Sequence, residues 1–495
     1  MNLSHIIDNH PDEAIALISR GRPTTYGALR SQVASMRGEL QRLGVGHGDV
    51  VALLCGNSRY FVVSYLAAIG IGAIAAPLNP TSPAPEIENE MNSVKPTAVV
   101  IEPAAFAAWK QIPTLTTSAV RVVISTEGHE IIGAHTIDEF LTVEPAPMVE
   151  VEPSHPAVYM FTSGTAGSPK AAVITHNNLM TNIRQANVAE HIGPTDVMFG
   201  VLPLFHIFGL NVVLGTSLAG GASVVLVQRF DPVSTMETIA ARNVTVLPGA
   251  PSLWMALAQM DHPTSDGFKN IRLALSGAAK LPEQIAHSLS ARFGLQVHEG
   301  YGLTEASPVV TTSIGMEWTP GSIGRPVPGV ELRLVDENGS DALIGDSGEI
   351  WIRGENIFAG YLNDAEATSR VLSADGWLRT GDIAVVDDAG HIFMVDRAKD
   401  LIIVSGFNVF PAEVEGVLAS HPDISEVAVV GTPHPHTGEA VRAYVVSRNG
   451  VHLDEDAIID FCRTKLARYK CPSKVLLVES LPRNVSGKVQ RYALR

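Results

Sequence analysis

The sequence has few of the features that mark a disulfide scaffold, a nucleic-acid binder or a membrane protein. It holds three cysteines in 495 residues, Cys55, Cys462 and Cys471. None forms a CxxC pair or stands at metal spacing from histidine. That excludes a disulfide framework and suits a reducing compartment. Basic charge is in deficit, with 35 Lys and Arg against 51 Asp and Glu and a net charge of −16. A general nucleic-acid binder, whose affinity rests on neutralising phosphates, is therefore excluded. No apolar run reaches the roughly 18 residues of a membrane helix without polar interruption. Phe61 to Pro77 comes closest and is rich in Gly and Ala. The opening stretch MNLSHIIDNHPDEAIALIS carries acids and a proline where a secretory leader would be basic and then apolar. Repeats and low-complexity segments are also missing. The expectation is a cytoplasmic enzyme of two to four domains.

What is present is a helix–strand alternation. TTYGALRSQVASMRGELQRLG has helical spacing and stops at Gly44, and DVVALLC reads as a buried strand. SRYFVVSYLAAIGIG reads as a helix, LNVVLGTSLAGG as a helix before the strand ASVVLVQRF, and PVSTMETIAARN as a helix before VTVLPGAP. Over about 300 residues this predicts α/β layers with largely parallel sheets. After about residue 320, GVELRLVD, GEIWIRG and WLRTGDIAVVDDAGHIFMVD alternate with period two, as in a smaller antiparallel β region. A compact α+β tail follows. The boundary is placed near Asp396 to Asp400, giving domains 1–398 and 399–495. The run from Gly70 to Ala75 fits G-x-G-x-x-A, but a helix precedes it where a dinucleotide site needs a strand. It is read as a helix-ending turn. From Asp400 onward acids and bases balance at 11 each, and the last 33 residues hold nine basic residues and one acid. That is either a solvated surface or a positive edge facing an anionic ligand.

The stretch YMFTSGTAGSPKAAVITH, Tyr159 to His176, puts hydroxyls, glycines and one lysine between two strand-like runs. It is not a Walker A loop, since Gly-Lys-Ser/Thr is missing. Its logic is similar: Gly164 and Gly167 let backbone amides converge on an anion. Thr162, Ser163 and Thr165 add donors, and Lys170 adds a cation. A plain Ser/Gly surface loop would not need all of these, so phosphate binding is favoured.

Seven further-spaced motifs follow one order: this loop, LPLFHIFG (202–209), SGAAKLP (276–282), GYGLTEAS (300–307), WLRTGD (377–382), DRAKDLIIVSGFNVFPAEVE (396–415) and PRNVSGK (482–488). Together they resemble the adenylate-forming superfamily, the acyl-CoA synthetases, luciferases and peptide-synthetase adenylation domains, over nearly the whole chain. The resemblance implies a large N-terminal domain of stacked mixed α/β sheets plus a β subdomain, and a small mobile α+β C-terminal domain. It implies ATP, Mg²⁺ and CoA as cofactors. A carboxylate would attack the α-phosphate to give acyl-adenylate and pyrophosphate, and a thiol would then displace AMP.

Carried onto this sequence, the resemblance assigns the loop from Thr162 to Lys170 to the β- and γ-phosphates. Glu305 becomes the Mg²⁺ ligand and Thr304 a donor to the α-phosphate. Tyr301 stacks on adenine beside Gly302, and Gly277, Ala278 and Ala279 let the nucleotide approach. Asp382 takes the ribose hydroxyls, backed by Arg397. Lys488 meets the charge developing at phosphorus. Lys399 is the hinge of a domain rotation, and Ser405, Gly406 and Phe407 line the pantetheine path. Taken singly, Glu305 is equally a helix-capping acid, Tyr301 a core tyrosine, Asp382 a turn residue and Lys488 a loop lysine. Ala166 and Ala171 depart from the family's usual Ser/Thr and Gly.

His206 resembles the gate of the acyl pocket, with Phe205 beside it, and Gly300 leaves that pocket open to acids larger than acetate. No charge stands out for a substrate ammonium. The first expectation is an acyl-CoA synthetase for a medium- or long-chain fatty acid. An aryl or 4-coumarate-type ligase and a ligase loading a carrier protein are the alternatives. A non-enzymatic nucleotide binder is disfavoured by the presence of Lys488, Glu305, Asp382 and Arg397 together. A homodimer is left open.

Overall fold

The computed structural model describes residues 1–128, 130–162, 170–260, 265–397, 400, 402–404, 407–434, 438–451, 453–466, 468–483 and 487–494. The chain forms two compact units. The first comprises Met1–Pro320, Gly324–Glu331 and Arg353–Trp377; the second Gly321–Ile323, Leu332–Ile352 and Leu378–Arg495. The antiparallel region expected after residue 320 is thus interrupted, because its middle, Arg353–Trp377, returns to the first unit.

One sheet of the first unit has eight strands. In spatial order they are Gly360–Tyr361, Lys170–Thr175, Pro156–Thr162, Ile74–Leu78, Val50–Leu54, Ala98–Ile101, Val122–Ser125 and His135–Thr136. All five residues of Val50–Leu54 are buried, as a parallel strand covered on both faces requires. Helix Arg59–Gly70 crosses back from it. Ser58 caps its start by accepting from the Phe61 N–H at 3.1 Å. It ends at Gly70, turns through Gly72 at φ +74° and enters Ile74–Leu78. The G-x-G-x-x-A run is therefore the helix-ending turn expected of it.

The second sheet of this unit carries the parallel strands Val297–Gly302, Leu273–Ser276, Val246–Gly249, Val197–Gly200, Ser223–Leu226 and Ile15–Ser19, in that spatial order. Val309–Thr312 then adds antiparallel beside Val297–Gly302. Fully buried Trp254, with Phe199, Leu247, Leu257 and Leu289, fills the space against the covering helices. Asn57 ties the two sheets together. Its Nδ2 donates to the carbonyls of Gly200 and Leu202, both at 2.9 Å, and its Oδ1 accepts from the Leu204 N–H at 2.9 Å.

The predicted helix at LNVVLGTSLAGG begins as a π-helix, Phe208–Gly215, and becomes α-helical over Thr216–Gly220. A uniformly apolar run does not reveal helical pitch. Close approach does matter here: a Cβ at Gly209 would lie 2.1 Å from the Pro203 carbonyl oxygen.

In the second unit, Gly348–Arg353, Leu378–Val386 and Ile392–Arg397 are antiparallel neighbours. A five-stranded sheet follows, built on the long pair Ile424–His434 and Gly438–Ser447, with Lys474–Leu477 adding in parallel. Helices Pro411–Ala419 and Glu455–Arg463 close its core around Leu418, Val429, Val445 and Ile458. Among the described residues no helix is long and apolar enough to cross a membrane. Cys55, Cys462 and Cys471 are buried free thiols.

His176 opens helix His176–Glu190 fully buried. Its Nδ1 accepts the Leu3 N–H at 2.9 Å, and its ring stacks on His155 at 6.0 Å. Burial first, then the neighbouring His155 and the N-terminal ammonium, push its pKa down to about 3. The folded state thus requires the neutral ring. Its stabilising contribution is complete above the unfolded pKa, roughly 6.5, and is lost as pH falls from there toward 3. Urea unfolding should show stability dropping by up to about 1.4 kcal/mol per pH unit from this group below pH 6. His176→Gln should remove about one proton from that slope. An unchanged slope would contradict the buried neutral imidazole.

Candidate active site

Three parallel strands of the second sheet end at one edge, and the predicted residues from Phe205 to Glu305 leave from those ends. Val197–Gly200 leads to Phe205 and His206, Leu273–Ser276 to Gly277, Ala278 and Ala279, and Val297–Gly302 carries Gly300, Tyr301 and Gly302 on to Thr304 and Glu305. Ligands of open α/β sheets bind outside the carboxyl ends of the strands. Glycines make this edge dense. A Cβ at Gly277 would stand 2.9 Å from the Phe208 ring, one at Gly302 2.3 Å from the Pro308 carbonyl oxygen, and one at Gly300 2.9 Å from that of Thr311. The Cβ direction at Gly300 is thus filled by backbone, which is itself a reason for glycine there. Ala278 holds φ +70°, a left-handed conformation that costs a non-glycine residue about 1–2 kcal/mol; such strain concentrates at functional loops.

Glu305 sits in a single 3-10 turn, Thr304–Ala306, closed by Ser307 at φ +71°. The expected helix start at this point is only that turn. Buried asparagines pin it. Asn211 Nδ2 donates to Ser307 O at 2.7 Å and to Leu179 O at 3.2 Å. Asn356 Nδ2 donates to Ala306 O at 2.8 Å. Asn182 both donates to Val309 O at 2.8 Å and accepts from the Val309 N–H at 3.0 Å. Asn178 completes the capping box of helix His176–Glu190 and donates to Glu355 O and Ile357 O at 2.7 and 2.8 Å. The 355–362 segment then reaches both the Glu305 turn and the strand Lys170–Thr175. The Phe358 N–H donates to Glu305 O, the Ala359 N–H to Val173 O and the Leu362 N–H to Ala171 O.

Tyr361 and Asp364, at and just past its end, carry two side chains no motif had marked. The Tyr361 hydroxyl donates to Glu305 Oε1 at 2.6 Å. Burial first, and then the Glu305 charge, raise the Tyr361 pKa far above the ordinary phenol value, so it stays a donor. Asp364 caps helix Ala365–Val371, and its Oδ2 lies 3.2 Å from Lys170 Nζ, which also stands 5.3 Å over the Tyr361 ring. The Ala367 N–H first, then Lys170, hold the Asp364 carboxyl below its usual range. The signals for all these residues were weak: a lone amide inside apolar runs such as GLNVVLG, or an Asp at a helix start.

Thr162 and Lys170 face each other as the last and first paired residues of the hairpin strands. Ser163, Gly164, Thr165 and Gly167 between them lie outside the described residues, as do Lys399, Ser405 and Gly406. The side chains of Arg397 and Phe407 are also outside them. In the second unit, buried Asp382 pairs directly opposite Arg397 across the antiparallel ladder, and half-buried Lys488 follows Gly487, whose carbonyl accepts from Arg483 at 2.7 Å.

Among the described residues no three His, Cys, Asp or Glu side chains cluster as a metal cage. Glu305 nonetheless fits Mg²⁺, which takes one or two carboxylates and fills its shell with phosphate oxygens and water. Only Oε1 is engaged by Tyr361, and Oε2 accepts from no donor among the described residues.

Residues 3–362 match the family model described as AMP-binding enzyme, and residues 413–488 that described as AMP-binding enzyme C-terminal domain. The chain is 35% identical over 492 residues to a 4-coumarate–CoA ligase of Oryza sativa subsp. japonica, covering 96% of this chain and 87% of that protein. It is 35% identical over 497 residues to a CoA ligase of Rhodococcus jostii (strain RHA1) named for a methyl-dioxo-octahydro-indenyl propanoyl group, covering 95% and 93%. ATP-bound MatB from Rhodopseudomonas palustris superposes with a TM-score of 0.93 at 30% identity, over 100% of this chain and 98% of that one.

Asn211→Leu takes the donor from the buried Ser307 carbonyl, at roughly 1–3 kcal/mol. Urea unfolding should register that loss. The KM for Mg·ATP should rise several-fold more than the KM for the acid, because Glu305 loses its fixed turn. Equal changes in both KM values would contradict this role.

Proposed function

The chain belongs to the AMP-binding enzyme family, and from that membership we propose its substrate class: an uncharged, ring-bearing carboxylic acid, aryl or aryl-propenoic. The reaction class itself is that of an AMP-forming acid–thiol ligase, with ATP, Mg²⁺ and CoA as its cofactors. A carboxylate oxygen attacks the α-phosphorus and pyrophosphate leaves. The CoA sulfur then attacks the acyl carbon, AMP leaves and the thiol proton is lost.

One observation carries the substrate proposal. The half-buried Phe208 ring lies so close to the Gly277 backbone that a Cβ there would stand 2.9 Å from it. An aromatic face at the strand edge suits offset stacking by a planar acid. Phe205 and Leu210 keep the neighbourhood apolar. The relatives' names support a ring-bearing acid: one is named for the aryl acid 4-coumarate, and one for a propanoyl group on a saturated fused ring. Medium- and long-chain fatty acids, first in the sequence-based expectation, become the competing outcome. A carrier protein remains the alternative acceptor.

The residue roles form part of the proposal. Lys170 and its loop take the β- and γ-phosphates, and Glu305 takes Mg²⁺. Thr304 and Lys488 serve the α-phosphate, Asp382 with Arg397 the ribose, and Tyr301 and Gly277–Ala279 the adenine. His206 gates the acid. Residues 399–495 act as the moving domain about Lys399.

Pyrophosphate release against acetate, benzoate, 4-coumarate, 2-succinylbenzoate, octanoate and palmitate, with and without CoA, tests the substrate. The expected result is kcat/KM at least about tenfold higher for an aryl acid than for octanoate, with thioester formed; one extra methylene alone discriminates by about 10–200-fold. A maximum on octanoate or palmitate would replace the proposal with a fatty-acid ligase. Adenylate that never passes to CoA would point to a carrier protein. Lys488→Ala should slow adenylation by two to three powers of ten, about 3 kcal/mol, yet convert supplied aryl-adenylate to thioester. Equal loss of both half-reactions would contradict its role.

A further inference from the structure

We infer that Tyr361 is a positioning residue that pins the Glu305 carboxylate so that its second oxygen is presented to the magnesium ion of Mg·ATP. The inference rests on the reading of Glu305 as the metal carboxylate. A glutamate side chain has three rotatable bonds, and the turn that carries Glu305 fixes only its backbone. The Tyr361 hydroxyl, at 2.6 Å from Oε1, fixes the far end. That hydroxyl is itself a fixed point. The Tyr361 backbone pairs with Ala172, and its N–H donates to Thr368 Oγ1 at 2.9 Å. Gly360, at φ +129°, leaves no room for a Cβ, which would lie 2.8 Å from Thr368 Cγ2. The strand that Tyr361 pairs with begins at Lys170, whose ammonium stands over the same ring and is held by Asp364. One two-residue strand therefore sets the spacing between the phosphate-loop cation and the metal carboxylate. Partners that orient a metal ligand commonly contribute 10–100-fold to metal affinity.

The test uses Mn²⁺ as the probe. It is titrated into the full-length protein holding α,β-methylene-ATP, and free Mn²⁺ is read by electron paramagnetic resonance. Nucleotide affinity without metal and thermal midpoint are measured alongside. Tyr361→Phe keeps the ring and loses only the hydroxyl. It should weaken Mn²⁺ binding by about 10–100-fold, with metal-free nucleotide affinity and thermal midpoint unchanged. Glu305→Gln should weaken it at least as much. If Glu305→Gln weakens the metal and Tyr361→Phe does not, the inference falls and the Glu305 reading stands. If neither changes it, the Glu305 reading falls. If Tyr361→Phe weakens metal-free nucleotide binding equally, its role is structural and the inference is overturned.

Discussion

The candidate site depends on buried amides. Asn178, Asn182, Asn211 and Asn356 are all at least nine-tenths buried, and each donates from Nδ2 to backbone carbonyls around Glu305. A turn of three residues has no helix or ladder to satisfy its own backbone, and a buried unpaired carbonyl is costly. The asparagines answer that requirement from helix His176–Glu190, from the π-helix and from the 355–362 segment at once. They make a short, positive-φ turn a rigid platform, and Glu305, Tyr361 and Lys170 take their positions from it. Asn57 does the same for the loop that carries His206. Apolar residues of the same size would fill the space and leave the turn unsupported.

The motif residues were legible because the chemistry needs their types close together in the chain. Lys170 follows its glycines, and Glu305 follows Tyr301 and Thr304, within a few positions. The α/β layers were legible too, since short β-branched runs such as the fully buried AVVI read as strands. Tyr361 was not. Its contact with Glu305 spans 56 positions, and a two-residue strand has no periodicity to detect. The asparagine staples hid for the same reason, each looking like a stray polar residue. Helical pitch in FGLNVVLG was not legible, because a single polar residue, Asn211, in an apolar run marks no period. The return of Arg353–Trp377 to the first unit was missed because alternation reports strand character and not which sheet a strand joins. The acid itself stayed open in the sequence, since the residues facing it come from several strand ends.

The second unit contributes a different arrangement. Asp382 is buried opposite Arg397 on a ladder of long antiparallel strands, so the nucleotide-facing pair of the resemblance is set by strand register. Lys488 follows Gly487, whose carbonyl accepts from Arg483, and Arg483 also bonds Glu426 at 2.7 Å. The basic last 33 residues include Lys488, which suits an element whose partner carries phosphates.

The central claim is that a carboxylate is activated by transfer of adenylate at the Glu305 turn. The most direct measurement is the fate of oxygen from ¹⁸O-labelled 4-coumarate during one turnover with ATP and CoA, followed by phosphorus NMR. Attack at the α-phosphorus predicts one ¹⁸O in the phosphate of AMP and none in pyrophosphate. Label in inorganic phosphate or pyrophosphate, with ADP formed in place of AMP, would contradict the account.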